Sequence, residues 1–122
     1  MRRLLRSWRW RVAVSGHSME PTLHDGDWLL VDPAAFATRA PRIAELVVVD
    51  DPRQPGRWLI KRVATINPDD TLALAGDHPA HATKDDLAAV PASAVMGRPW
   101  LRYWPPRRLA RLGRPSARLT GT

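Results

Sequence analysis

Residues 58–75 read WLIKRVATINPDDTLALA, and the class of fold can be predicted from this segment. Trp58 to Ile66 alternates well enough between apolar and polar residues to be a long β-strand. Asn67-Pro68-Asp69-Asp70 supplies residues that favour a tight turn. Thr71 to Ala75 then returns as a second strand, so the sequence predicts a β-hairpin.

Four further segments are predicted to be strands, because each is a short apolar run close to turn residues. They are Arg11 to Val14, Trp28 to Val31, Glu45 to Asp50 and Val95 to Leu101. A short helical turn is expected within residues 90–95. Twelve prolines and seven glycines also favour many short elements. We therefore predict a compact, mainly β fold with short strands and little helix.

The chain has 122 residues, enough for one domain with a modest core. We expect the folded domain to span residues 12–104, between a basic N-terminal segment (1–11) and a basic, mobile tail (105–122). The sequence has no cysteine, which excludes a disulfide framework and thiolate metal sites. His78 and His81 have an H-x-x-H spacing, which is a weak metal signal without further ligands. We expect neither a metal nor a cofactor.

Positive charge is concentrated at the two ends of the chain. Residues 1–11 hold five arginines, residues 98–122 hold seven, and all twelve acidic residues lie between Glu20 and Asp86. Four tryptophans and Tyr103 lie among these arginines, a mixture that suits contact with a membrane surface. A basic module that binds nucleic acid or a membrane surface is therefore an alternative to an enzyme.

The location of the protein can also be predicted from its apolar segments. No apolar run approaches the roughly 20 residues that cross a bilayer. The first residues are charged, but their apolar stretch is too short and too interrupted for a secretory signal. No recognition-helix or RNA-binding motif is visible, so specific nucleic-acid binding is not expected. We expect a cytoplasmic protein, with peripheral contact at the inner face of the membrane if its arginine-rich ends bind lipid.

The segment SGHSMEPTL, residues 15–23, allows two interpretations. One is an ordinary corner in which Gly16 and Pro21 bend the chain. The other is a rigid bend that presents the hydroxyl and the backbone N–H of Ser18 to one point. A serine becomes a nucleophile only when a base takes its proton and donors stabilise the oxyanion. His17 is a poor base, because adjacent side chains on an extended chain point apart.

A lysine can also act as the base if burial removes its charge. Desolvation lowers the pKa of an ammonium group from about 10.4 by several units. Lys61 lies in the apolar strand Trp58 to Val63, whereas Lys84 lies beside two aspartates in a polar loop. Only Lys61 therefore has suitable surroundings. A strand lysine that faces solvent is the alternative interpretation.

SGHSMEPTL resembles the nucleophile motif of the signal peptidase I family (S26) of Ser-Lys proteases. Further motifs follow in that family's order: Gly26-Asp27 with the strand WLLV, then IKRV at residues 60–63, then Gly76-Asp77 before a polar loop. VPASAVMGR, residues 90–98, is similar to the segment that closes the family's catalytic core. The resemblance covers roughly residues 12 to 100. It implies a signal-peptidase-like β-fold, which we expect to lack the family's membrane anchor and large inserted β-domain.

The resemblance implies a role for each matching residue. Ser18 would be the nucleophile, and its backbone N–H would help to form the oxyanion hole. Lys61 would be the general base, so residues 12–104 would be the catalytic domain of a serine endopeptidase. Met19 and Pro21 would support the corner, and Gly26-Asp27 would be a structural turn.

One residue and one loop of this chain differ from motifs found in the family. Some members have a serine two residues before the nucleophile, whose hydroxyl adds to the oxyanion hole, whereas this chain has Gly16 there, as other members do. The family's last motif ends in Ser-x-Asp-Ser-Arg, whereas residues 76–86 read GDHPAHATKDD and lack the arginine. If the register shifts by one residue, Thr83 would orient Lys61 and Asp85 would brace the loop.

The short chain and its ending GRPWLRYWP, residues 97–105, look like the nickel-type superoxide dismutase maturation proteases. This resemblance implies that the protein partner is a precursor, the nickel superoxide dismutase precursor, from which a short N-terminal leader is removed. The protease itself would need no metal. A signal peptidase I that acts on exported preproteins is the alternative with the same chemistry.

Overall fold

The computed structural model describes residues 10–81 and 86–112, which form one curved antiparallel sheet. Strands make up 43% of the structure and helical turns 8%, which confirms the prediction of a mainly β fold. Within the described residues, 3-10 turns cover Pro79–His81, Ala92–Ala94 and Pro106–Arg108. The strands are β1 (Arg11–Ala13), β2 (Trp28–Asp32), β3 (Leu46–Asp50), β4 (Trp58–Ile66), β5 (Leu72–Ala75), β6 (Leu87–Val90), β7 (Val95–Trp104) and β8 (Ala110–Arg111).

The sheet follows the order β1-β2-β7-β3-β4-β5-β6, and β8 pairs with β7. The predicted hairpin is confirmed, because β4 pairs with β5 in antiparallel register, with Val63 opposite Leu74. β7 is the strand that joins the two halves of the sheet. Its residues 98–104 pair with β2, and its first residues, Val95 and Gly97, pair with β3.

Two apolar clusters form the core. The first lies among β3, β4, β5 and β6, and the second packs the SGHSMEPTL segment against β2 and β3. Burial of these side chains is the main favourable contribution to folding. The first cluster contains Val47, Val49, Leu59, Val63, Leu72, Leu74, Leu87 and Val90, and the second contains Val14, Met19, Leu23, Leu29 and Leu46.

The described part of the predicted tail continues the sheet. After Pro105 the chain forms a 3-10 turn, and Ala110–Arg111 then pairs with Leu101 and Arg102. The Leu112 N–H donates to the Trp100 carbonyl at 3.0 Å, and Leu112 packs against the second cluster. Residues 1–9 and 113–122 lie outside the described residues, and the boundaries of the domain stay predictions. No helix in the described part of the chain is long and apolar enough to cross a membrane.

Candidate active site

Ser18 lies on a bend that hydrogen bonds from backbone N–H groups hold on both sides. Gly16 has a φ of +89°, a conformation that favours glycine, and its N–H donates to Asp25 Oδ1 at 2.8 Å. After the serine, the Leu23 N–H donates to the Met19 carbonyl at 2.9 Å. The Met19 side chain is only 3% exposed and belongs to the second core cluster. The bend is thus attached to the core directly after Ser18.

The regular alternation of β4 places Lys61 on the buried face of the sheet. Successive side chains of a strand point to opposite faces, so Leu59, Lys61 and Val63 share one side. Lys61 is 1% exposed and stands opposite Val47 of β3. The interpretation of Lys61 as a solvent-facing lysine is therefore wrong. Burial disfavours the charged form of an amine, which is the condition for a lysine to accept a proton.

The fold brings this lysine to the bend. Lys61 Nζ lies 3.3 Å from Ser18 Oγ, within hydrogen-bonding distance, although 43 residues separate the two in sequence. Ser18 itself is half-buried. An amine at this distance can take a proton from the hydroxyl without any rearrangement of the chain.

A cavity of about 390 Å³, here called the groove, opens beside this pair. Its two walls are residues 13–19 and residues 57–61. Trp58, in the second wall, stacks on the ring of Trp10, with centroids 5.4 Å apart. β1 is the last strand on its side of the sheet, and β5 pairs with β4 only from Arg62 onward. Strand edges of this kind can bind an extended peptide by main-chain hydrogen bonds.

Residues 76–78 clamp the Ser18 bend from the other side. The His78 N–H donates to the Ser18 carbonyl at 2.9 Å. Gly76 packs so closely that an added Cβ would lie 2.5 Å from the Ser18 carbonyl oxygen, so only glycine fits there. Asp77 accepts a hydrogen bond of 2.6 Å from Thr22 Oγ1 and two from Arg62, at 2.9 and 2.8 Å. Asp77 thus connects the serine bend with the residue that follows Lys61.

A family model described as signal peptidase, peptidase S26, matches residues 5–78, more than half of the chain. The chain belongs to the signal peptidase S26 family. The matched residues include both Ser18 and Lys61, together with the first three motifs that follow SGHSMEPTL. No curated protein and no solved structure gave a significant match. Membership of this family makes the protein a signal-peptidase-like protease.

In the motif Gly76-Asp77, Asp77 has a structural role that the sequence did not reveal: it connects Thr22 with Arg62. Burial by itself raises the pKa of the Asp77 carboxyl, but the hydrogen bonds from Arg62 and Thr22 outweigh this effect and hold the pKa below its usual value. Asp77 is thus stabilised as a carboxylate by the guanidinium of Arg62 and the hydroxyl of Thr22. The sequence indicated this aspartate only through the resemblance of Gly76-Asp77 to a family motif. Its partners Thr22 and Arg62 lie 55 and 15 residues away in sequence.

The Gly26-Asp27 motif is the centre of a second clamp on the same bend. Asp27 is 2% exposed and accepts hydrogen bonds from the His24 N–H at 2.8 Å and from Arg108 Nη2 at 3.2 Å. Arg102 donates to the Thr22 carbonyl at 3.0 Å and to the Arg108 carbonyl at 2.7 Å. The end of the described chain therefore holds the segment that follows Ser18.

The remaining predicted residues are placed as follows. Pro21 is exposed and follows a cis peptide bond. Thr83 and Asp85 lie outside the described residues, so their roles stay predictions. His17 lines the groove, and its Nδ1 lies 2.7 Å from Glu20 Oε2, a contact that raises the pKa of His17. In the described ranges 10–81 and 86–112, no three His, Asp or Glu side chains are grouped to hold a metal ion.

Proposed function

We propose that the protein is a serine endopeptidase that uses a Ser18–Lys61 dyad to remove an N-terminal leader from a precursor protein. The observation that carries the proposal is the 3.3 Å distance between Lys61 Nζ and Ser18 Oγ beside an open groove. The burial of Lys61 supports it further, because a buried amine is more readily neutral than an exposed one.

In the proposed mechanism, neutral Lys61 accepts the proton of Ser18 while Oγ attacks the scissile carbonyl. The Ser18 backbone N–H stabilises the oxyanion of the tetrahedral intermediate, and a donor of this kind contributes on the order of 10²–10³ in rate. Lys61 then gives its proton to the leaving amine, which is the N-terminus of the mature protein. Lys61 then deprotonates a water molecule that attacks the acyl-enzyme. The ester bond to Ser18 Oγ breaks, Lys61 returns the proton to Oγ, and the leader is released as a carboxylate.

We infer that the substrate is a nickel superoxide dismutase precursor. The support is the likeness of residues 97–105 to the maturation proteases of that enzyme. The S26 family match supports only the broader class, which includes signal peptidases acting on exported preproteins. These two substrates are therefore compared directly in the test.

The test is a cleavage assay with mass spectrometry of the products. The wild type, Ser18→Ala and Lys61→Met are each incubated with a nickel superoxide dismutase precursor and, separately, with an exported preprotein. Lys61→Met keeps the length of the side chain but removes the amine. We expect the wild type alone to release the mature dismutase N-terminus. Cleavage of the preprotein instead would replace the substrate, and cleavage by Ser18→Ala would refute the dyad.

A further inference from the structure

The ionisable side chains among the described residues of the groove are all basic. Among the described residues that line it, the ionisable side chains are His17, Arg57 and Lys61, and none is Asp or Glu. Lys61 is buried and is the proposed base, and His17 already has the Glu20 carboxylate at 2.7 Å. Among these three described residues, Arg57 is therefore the permanent cation offered to a substrate.

The turn before β4 holds the backbone of Arg57 in place. The Arg57 N–H donates to the Gln54 carbonyl at 3.1 Å, and the Arg57 carbonyl accepts from the Asp51 N–H at 2.8 Å. Arg57 Nη1 lies 3.7 Å from Asp51 Oδ2, whereas the other oxygen of Asp51 accepts two closer bonds from Arg53. The Arg57 side chain is 49% exposed. A guanidinium has five N–H donors, so Arg57 keeps donors that can bind a ligand.

The spacing along β4 gives the position that this cation would contact. Arg57 precedes Lys61 by four residues, which in a strand corresponds to roughly 13 Å at about 3.3 Å per residue. A peptide bound in extended form has the same rise per residue. A substrate side chain three to five residues from the scissile bond would therefore lie beside Arg57. Trp58, 40% exposed and stacked on Trp10, borders the same end of the groove.

We propose that Arg57 forms a subsite for a carboxylate side chain of the substrate, three to five residues from the scissile bond. The preferred substrates of this protease are then precursors with an acidic residue at that distance. The guanidinium binds a carboxylate through two parallel hydrogen bonds, which neither a neutral nor a basic side chain can replace. This inference rests on the proposed function and specifies its substrate class.

The experiment uses the precursor that the wild-type protein cleaves. Each residue three to five positions from the cleavage site, on both sides, is changed in turn to Glu, Gln and Lys, and kcat/KM is measured. The enzymes are the wild type, Arg57→Gln, Arg57→Glu and, as a matched control, Arg53→Gln. Arg53 lies in the same turn and is similarly exposed (47%), but it does not line the groove.

At one position we expect Glu to exceed Gln by roughly two- to fivefold, the range of a partly exposed ion pair. Arg53→Gln should keep this preference, Arg57→Gln should lose it, and Arg57→Glu should prefer Lys at the same position. The preference should also decrease with salt, because the Debye length falls from about 10 Å at 0.1 M to about 3 Å at 1 M.

Equal rates for Glu and Gln at every position, or a preference that survives in Arg57→Gln, would overturn the subsite and leave the protease intact. A failure of the proposed function looks different, because Ser18→Ala would then cleave as fast as the wild type, whatever residue the precursor carries.

Discussion

The clamp at Asp77 gives a quantitative prediction for Asp77→Asn. The wild-type carboxylate accepts three hydrogen bonds, two from Arg62 and one from Thr22. Asparagine keeps one oxygen, turns an N–H donor toward the guanidinium and leaves Arg62 without its counter-charge. Loss of one partner of a fully buried pair costs about 3–5 kcal/mol. Because the Asp77 and Arg62 side chains are 16% and 26% exposed, we expect a smaller loss of unfolding free energy, about 2–3 kcal/mol.

The pH dependence of the stability difference distinguishes the loss of a charged interaction from a general packing defect. The pKa of Asp77 is lowered in the folded protein. Its stabilising contribution is therefore complete above the unfolded pKa, about 3.9, and is lost as the pH falls through the lower folded value. The stability difference between the wild type and Asp77→Asn should be full at neutral pH and should narrow below about pH 4.

The assay is urea unfolding followed by tryptophan fluorescence at a series of pH values, with the midpoint and slope fitted separately. Asp50→Asn is the control, because Asp50 is an exposed carboxylate at the end of β3, and its effect should stay within about 0.5 kcal/mol. A difference for Asp77→Asn that is the same at neutral and acidic pH would refute the electrostatic explanation.

Three further substitutions test the rest of the site. Gly76→Ala should abolish most cleavage, because the added Cβ would overlap the Ser18 carbonyl oxygen. Overpacking of this kind lowers the unfolding free energy by about 1–3 kcal/mol, and thermal unfolding should show this loss. Arg108→Gln removes a charged donor from buried Asp27 and should lower the unfolding free energy by about 1–3 kcal/mol in a denaturant titration; an unchanged midpoint would show that the second clamp contributes nothing. Gly16→Ser should slow cleavage rather than add an oxyanion donor, because a φ of +89° costs a residue with a side chain about 1–2 kcal/mol; a faster rate in the cleavage assay would contradict this.

The sequence predicted the parts of the structure that depend on local pattern. The alternation of Trp58 to Ile66 predicted the hairpin. It left two interpretations of Lys61 open, because the sequence alone does not show which face of the strand is buried. β6 was missed because its pattern, buried at Leu87 and Val90 and exposed between them, does not alternate. β8 is two residues long and has no pattern of its own.

The candidate site was harder to predict from the sequence, because its residues come from distant segments of the chain. Ser18 and Lys61 were identified from motifs and from the apolar neighbours of the lysine. The connection of Asp77 to Thr22 and Arg62, and that of Asp27 to Arg108, depend on how the sheet curves. Register and curvature are properties of the whole folded chain, and no local spacing encodes them.

The two members of the proposed dyad lie beside different clusters of the core. Met19, directly after Ser18, packs in the second cluster, whereas Leu59 and Val63, two residues on either side of Lys61, belong to the first. Neither cluster alone brings Ser18 Oγ within reach of Lys61 Nζ, so a partly folded chain lacks the proposed dyad. On the proposed mechanism, the hydroxyl therefore gains its base only when both clusters have formed.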